Sequence, residues 1–159
     1  MNSLVALSLA ASLSLAMYGQ QNSYAGHGYA HYGLAGARDN FNTVYTAGVG
    51  GEGFVYKGLA AGASFEILSA YRNFGGTGGL FSPTASWHFF NRQQPPKLVP
   101  FVSGGYSLVF NTRGFANGGN FGGGITWWFK PKFGLRTEFR DHVIEGEHLY
   151  VFRFGLSFR

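Results

Sequence analysis

Residues 133–159 read FGLRTEFRDHVIEGEHLYVFRFGLSFR, and the side chains alternate in character along most of this stretch. Phe133, Leu135 and Phe139 fall on one side, against Gly134, Arg136, Glu138 and Arg140 on the other. Further on, Tyr150, Phe152, Phe154, Leu156 and Phe158 oppose Arg153, Gly155 and Ser157. A repeat of two is the period of a β-strand, whose successive side chains point to opposite faces. Between the two runs lies a short connection, Ile144–Glu147, carrying Gly146. The pair therefore reads as an antiparallel hairpin.

The same pattern extends back through the chain as far as His27, with no competing helical period. Segments 27–37, 43–54, 57–71, 79–91, 97–111, 119–130, 133–143 and 147–159 are separated by Gly, Asn, Pro and charged residues. In the sixth, Phe121, Ile125, Trp127 and Phe129 oppose Asn120, Gly122, Gly124 and Thr126. The fourth sets Phe81, Ala85, Trp87 and Phe89 against Ser82, Thr84, Ser86 and His88. In the third, Leu59, Ala61, Ala63, Phe65 and Ile67 oppose Gly62, Ser64 and Glu66. The first, second and fifth segments are diluted by Gly and Ala. Each segment approaches the ~9–11 residues that a tilted strand needs to cross a bilayer. Seven short connections between them predict an all-β fold, an antiparallel up-and-down transmembrane β-barrel of about eight strands.

Volume decides which face lies inside. The interior of an eight-stranded barrel is just wide enough to be filled by side chains. The apolar set, rich in Phe, Trp, Tyr and Leu, is too bulky for it, whereas Gly, Ser, Thr and a few charges fit. The apolar face is then outward, where lipid tolerates it, and closure satisfies the backbone without water. A soluble lipocalin-like ligand-binding barrel would need the reverse arrangement. Composition agrees, since only 12% of the 159 residues are charged and 18% are aromatic, against ~25% charged in a soluble domain. No cysteine is present, which excludes disulfides and thiolate sites. The net charge is +5 without a dense Lys/Arg cluster, so no nucleic-acid partner is expected, and no cofactor.

Ahead of the barrel, Leu4–Met17 is the one long apolar run. It is short for a membrane helix, which needs ~20 residues, and suits the core of a signal peptide. Small residues at Ser14 and Ala16, and again at Ser23 and Ala25, allow cleavage anywhere from after Ala16 to after Ala25. No Lys or Arg precedes the core, and a buried helix is the alternative. The expected organisation is a signal peptide and linker over 1–25, with the barrel over 26–159.

The terminal run YVFRFGLSFR, residues 150–159, resembles the C-terminal assembly signal of outer-membrane barrels, with Gly155 and Phe158 at matching positions and Arg159 in place of a final aromatic. From His27 to Arg159 the chain resembles the small eight-stranded family typified by the OmpA transmembrane domain and OmpX. That resemblance implies a monomer in the bacterial outer membrane, exported through the periplasm. It also implies contact with lipopolysaccharide and phospholipid, and recognition of Gly155 and Phe158 by the barrel-assembly machinery. No trailing peptidoglycan-binding domain is expected, and so no OmpA-type tether. A periplasmic N-terminus places Lys57, Arg92, Lys97, Lys130, Lys132 and Arg159 on a basic periplasmic rim, with Phe89, Trp127 and Phe129 just inside it as an aromatic girdle. The external loops then fall near Arg38–Asn42, Asn73–Gly78, Thr112–Gly118 and Ile144–Glu147.

Few motifs suggest chemistry. Gly48–Gly53 contains Gly-x-Gly-x-x-Gly, but a strand follows where a dinucleotide site needs a helix, so these glycines read as relief on a crowded wall. Ser86, His88 and Glu66 share the inner face, and an outer-membrane lipid-modifying enzyme would use such a set; inside a narrow lumen they read instead as satisfied polar residues. Asp141, His142, Glu145, Glu147 and His148 bear metal-ligand types without zinc spacing and read as a solvated loop. Glu52, Glu66 and Glu138 share the inner face with Arg136, Arg140 and Arg153. They are expected to pair in a network around Glu138 that plugs the lumen, in a non-enzymatic protein of structural or surface-interaction role. A narrow small-solute channel is the open alternative.

Overall fold

The computed structural model describes residues 25–37, 44–70, 77–90, 97–111 and 114–159. They form eight strands: β1 Gly26–Ala37, β2 Val44–Tyr56, β3 Leu59–Ala70, β4 Gly78–His88, β5 Leu98–Asn111, β6 Gly114–Lys130, β7 Phe133–Ile144 and β8 Glu147–Phe158. Each pairs antiparallel with its sequence neighbours, and β8 returns to β1 through Gly28↔Phe158 to Ala37↔Leu149. The result is a closed up-and-down barrel. The apolar segment 4–17, the expected linker up to Tyr24, the expected loop Arg38–Asn42, residues 71–76 and Arg92 lie outside the described residues.

Among the described residues three hairpins turn in two residues, at 57–58, 131–132 and 145–146, and two of them have positive φ at both positions. Lys57–Gly58 and Glu145–Gly146 have φ of 34° and 95°, and 51° and 89°. Left-handed dihedrals at both central positions match the right-handed twist of the flanking strands, and glycine makes the second one cheap. This corrects the third segment, which starts at Leu59 because Lys57 and Gly58 form the turn. The fourth strand ends at His88 rather than at residue 91.

A larger correction concerns the expected loop at Thr112–Gly118. Its glycines suggest a loop, yet Gly114–Gly118 continue β6 and pair with β5 out to Asn111↔Gly114. The long β5 supplies a complete partner edge, and backbone pairing needs no side-chain pattern. Conversely, the β4–β5 ladder skips Ser82 and Pro83, where proline has no N–H to donate.

The apolar set points outward. Phe65, Ile67, Phe81, Trp87, Phe121, Trp127, Phe139, Phe152 and Phe154 are exposed. Buried positions are largely polar, including Thr46, Ser64, Ser82, Ser107, Thr126 and Ser157. The interior is nevertheless richer than Gly, Ser and Thr: Tyr29, Leu80, Val99, Phe101, Trp128 and Val151 also point in. The lumen has room for them because glycines sit opposite. A Cβ on Gly50 would meet the Tyr29 ring at 2.5 Å, and one on Gly124 the Phe101 ring at 2.8 Å.

Candidate functional site

The lumen gathers the six charged residues expected to face it, all buried: Glu52 on β2, Glu66 on β3, Arg136, Glu138 and Arg140 on β7, and Arg153 on β8. Alternation along β7 puts its three charges in one column, and Glu138↔Arg153 brings β8 alongside.

Glu138 holds the middle. Its Oε1 accepts from Arg140 Nε at 2.9 Å and from Arg140 Nη2, and lies 3.7 Å from Arg153 Nη1. Its Oε2 accepts from Arg136 Nε at 3.4 Å. Glu66, across the barrel, takes Arg153: Nε donates to Oε2 at 3.1 Å and Nη2 to Oε1. Glu52 takes Arg136, whose Nη1 donates to Oε1 at 2.6 Å. Three carboxylates thus meet three guanidiniums in a connected set. Charges removed from water need such partners, since isolated ones are costly to bury.

Four histidines extend the set. His27 Nε2 and His88 Nε2 each lie 3.0 Å from Glu52, on different oxygens. His31 Nε2 is 3.4 Å from Glu66, close enough for attraction but poorly aligned for a hydrogen bond. His142 Nε2 lies 3.2 Å from Arg153 Nη2 and its Nδ1 2.7 Å from Ser107 Oγ. Arginine can only donate, so Nε2 of His142 is the acceptor and the ring proton sits on Nδ1. Asn120 Nδ2 donates to Ser107 Oγ at 2.8 Å, carrying the chain of contacts to β6.

Aromatic rings gather at the Glu52 end of the lumen. The Arg136 guanidinium carbon lies 3.8 Å from the Phe101 centroid and 4.5 Å from that of Tyr29, a cation–π sandwich. His88 stacks on Phe101 with centroids 5.2 Å apart and meets Phe54 edge-on at 4.9 Å. Trp128 meets His27 edge-on at 5.8 Å. Above it, Arg159 lies 4.2 Å from the Trp128 centroid while its Nε donates to Pro131 O at 2.6 Å.

This geometry bears on the chemical alternatives. Ser86 contacts Glu52, not the Glu66 named from the sequence. Ser86 Oγ, at 3.1 Å, and Glu52 Oε2, at 3.0 Å, meet the same His88 nitrogen, Nε2. Nδ1 of His88 has no hydrogen-bond partner among the described residues. A nucleophilic relay needs the acid on one ring nitrogen and the hydroxyl on the other, so this trio is not one. Two imidazoles and a carboxylate converge at Glu52, but the Arg136 guanidinium already occupies the point of convergence, 2.6 Å from Oε1 and 3.1 Å from His27 Nε2. Among the described residues no three His, Asp or Glu side chains are placed to hold a metal ion.

The cluster at 141–148 does not form the solvated loop expected of it. His142 is fully buried in the lumen, and Asp141, on the opposite side of β7, is 4% exposed and meets His148 Nδ1 at 2.8 Å. Strand alternation splits two adjacent residues between the faces. Glu145 and Glu147 are exposed.

Lys57, Lys97, Lys130, Lys132 and Arg159 all lie at the end where β1 begins and β8 finishes. Gly155 faces inward, where a Cβ would meet Ala30 O at 2.1 Å, and Phe158 is half exposed with its ring over Gly28. Sequence reasoning missed His27 and His31. Their signal was present, because they share parity with Tyr29 on a strand whose other side carries Ala30, Tyr32 and Leu34.

Known structures share this architecture. The N-terminal β-barrel domain of Pseudomonas aeruginosa OprF superposes with a TM-score of 0.60 at 20% identity, covering 87% of this chain and 97% of that one. The chain has the fold of the small outer-membrane β-barrels. Neisserial surface protein A matches with a TM-score of 0.63 at 14% identity, over 87% of this chain and 99% of its own. Ail, the attachment invasion locus protein of Yersinia pestis, matches with a TM-score of 0.54 at 10% identity, over 84% and 97%. No protein-family profile matches the sequence, and no curated protein does.

Proposed function

We propose that this protein is an integral barrel of a bacterial outer membrane whose lumen is plugged. Its role is structural or surface-interacting rather than catalytic. The observation that carries the reading is the inverted distribution of side chains, with charged and polar groups inside and aromatic and aliphatic ones outside. Water on that outer wall would be opposed by more apolar surface than a soluble monomer exposes, whereas a bilayer core solvates it. The fold shared with OprF, NspA and Ail supports the same location. On this reading residues 1–25 direct export, Gly155 and Phe158 address the assembly machinery, and the outer wall meets lipopolysaccharide and phospholipid.

The plug consists of the neutral set of three carboxylates and three guanidiniums, above a floor of Phe54, Phe101 and Trp128. One observation favours a narrow channel as the second reading: Arg140 Nη1, Arg153 Nη1 and Asn120 Oδ1 lack hydrogen-bond partners among the described residues. Buried polar atoms of this kind call for water, which makes the far half of the lumen wet. The rings of Phe54, Phe101 and Trp128 at the Glu52 end support the plug over a continuous path.

The test has two parts. Refolded into detergent micelles, the protein should give β-type circular dichroism and migrate differently in boiled and unboiled gel samples. In planar bilayers it should show no steady conductance. Folding in plain buffer without detergent would refute the membrane reading, and a stable open pore would refute the plug.

A further inference from the structure

Four consecutive strand ends carry basic residues on one rim. Trp128 N donates to Lys97 O at 2.6 Å, and Arg159 N to Lys132 O at 3.1 Å, so the ends of β5, β6, β7 and β8 adjoin in that order. Lys97, Lys130 and Lys132 are exposed. Arg159 is held inward over Trp128, adding its charge behind them. Among the described residues no Asp or Glu side chain lies in this arc; the exposed acids, Glu145 and Glu147, sit in the hairpin at the opposite end. Directly beneath the arc, on the outer wall, are Leu98, Trp127, Phe129, Phe133 and Phe158, each about half exposed.

A row of cations one residue beyond an apolar wall matches one occupant: a phospholipid with an anionic headgroup, its phosphate at the lysines and its acyl chains on the rings. We infer that the β5–β8 rim selects phosphatidylglycerol-type lipids from the surrounding leaflet. The inference rests on the membrane reading and goes beyond it, because a barrel can sit in a bilayer without preferring any headgroup. Long basic side chains at an interface lay their stems along apolar surface and extend the ammonium group to the phosphate plane, and the exposed Lys97, Lys130 and Lys132 stand where they would do so. Lys57, on the β2–β3 turn and lying over Tyr56 at 5.1 Å, is away from the arc.

The test uses the protein reconstituted in phosphatidylcholine vesicles with a trace of spin-labelled phosphatidylglycerol or spin-labelled phosphatidylcholine. The ratio of motionally restricted to free label gives a relative association constant. A basic residue near a surface favours anionic lipid by at most about fivefold at low salt. Averaged over all lipids touching the barrel, the expected preference for phosphatidylglycerol is roughly threefold. It should fall towards unity in Lys97→Gln/Lys130→Gln/Lys132→Gln and at high salt. Lys57→Gln should keep most of it, and gel mobility should show that both variants fold. Equal restriction of the two labels in wild type, or an undiminished preference in the triple variant, overturns the inference and leaves the membrane reading intact. A complete lack of restricted label of either kind overturns both.

Discussion

Glu138→Ala tests the lumen network at its centre. The three arginines that meet Glu138 do not depend on it equally. Arg136 keeps Glu52 at 2.6 Å, and Arg153 keeps Glu66 at 3.1 Å. Arg140 has no other carboxylate within ion-pair distance among the described residues, and its side chain is 1% exposed. The substitution therefore strands one guanidinium and turns a balanced interior into one with a net positive charge. Leaving a buried charge without its partner costs about 3–5 kcal/mol. Glu66→Gln should cost less, because Arg153 retains Glu138 at 3.7 Å and His142 at 3.2 Å. Removing Arg140 as well should restore part of the loss, so a double-mutant cycle should report a coupling above about 1 kcal/mol. Equilibrium urea unfolding in lipid vesicles, followed by the fluorescence of Trp87, Trp127 and Trp128, measures all of these. A Glu138→Ala protein within about 0.5 kcal/mol of wild type, with no coupling to Arg140, would refute the reasoning; that result would mean that lumen water solvates Arg140 as well as Glu138 does.

Phe139, which pairs with Gly123 and Phe152 in the middle of the wall, should tolerate arginine poorly, with Phe139→Arg losing about 2–4 kcal/mol in bilayers. Trp127→Arg, nearer the basic rim, should lose less, and equal tolerance at both sites would mean that the outer wall does not meet lipid. All four lysines, at 57, 97, 130 and 132, belong to the basic end. A membrane-impermeant amine reagent on intact cells should leave them unmodified until the outer membrane is opened. Peptide mapping that finds Lys130 or Lys132 labelled on intact cells would invert the orientation.

The hairpin of residues 133–159 makes the architecture legible in the sequence. Its alternation names the outward ring of Phe139, Phe152 and Phe154 and the inward Arg136, Glu138 and Arg153, because in a strand parity alone assigns the face. Repeated eight times with connections too short for anything but hairpins, it determines an up-and-down barrel, and the volume of the aromatic set determines that the barrel is inverted. Sequence also held the parity of His27, His31 and His142. It offered a set of inward charges to be paired, but not which particular groups meet across the lumen. Glu52, rather than Glu66, is the partner of Ser86 and His88, because the stagger and curvature of the closed sheet set that distance and no local pattern records it. Likewise, the Gly-rich run 114–118 is strand only because β5 extends far enough to pair with it. Asp141 and His142, neighbours in the chain, end on opposite sides of the wall. Parity is local and survives in the sequence, whereas cross-barrel contact comes from closure, which brings together residues as far apart as Glu52 and Arg136.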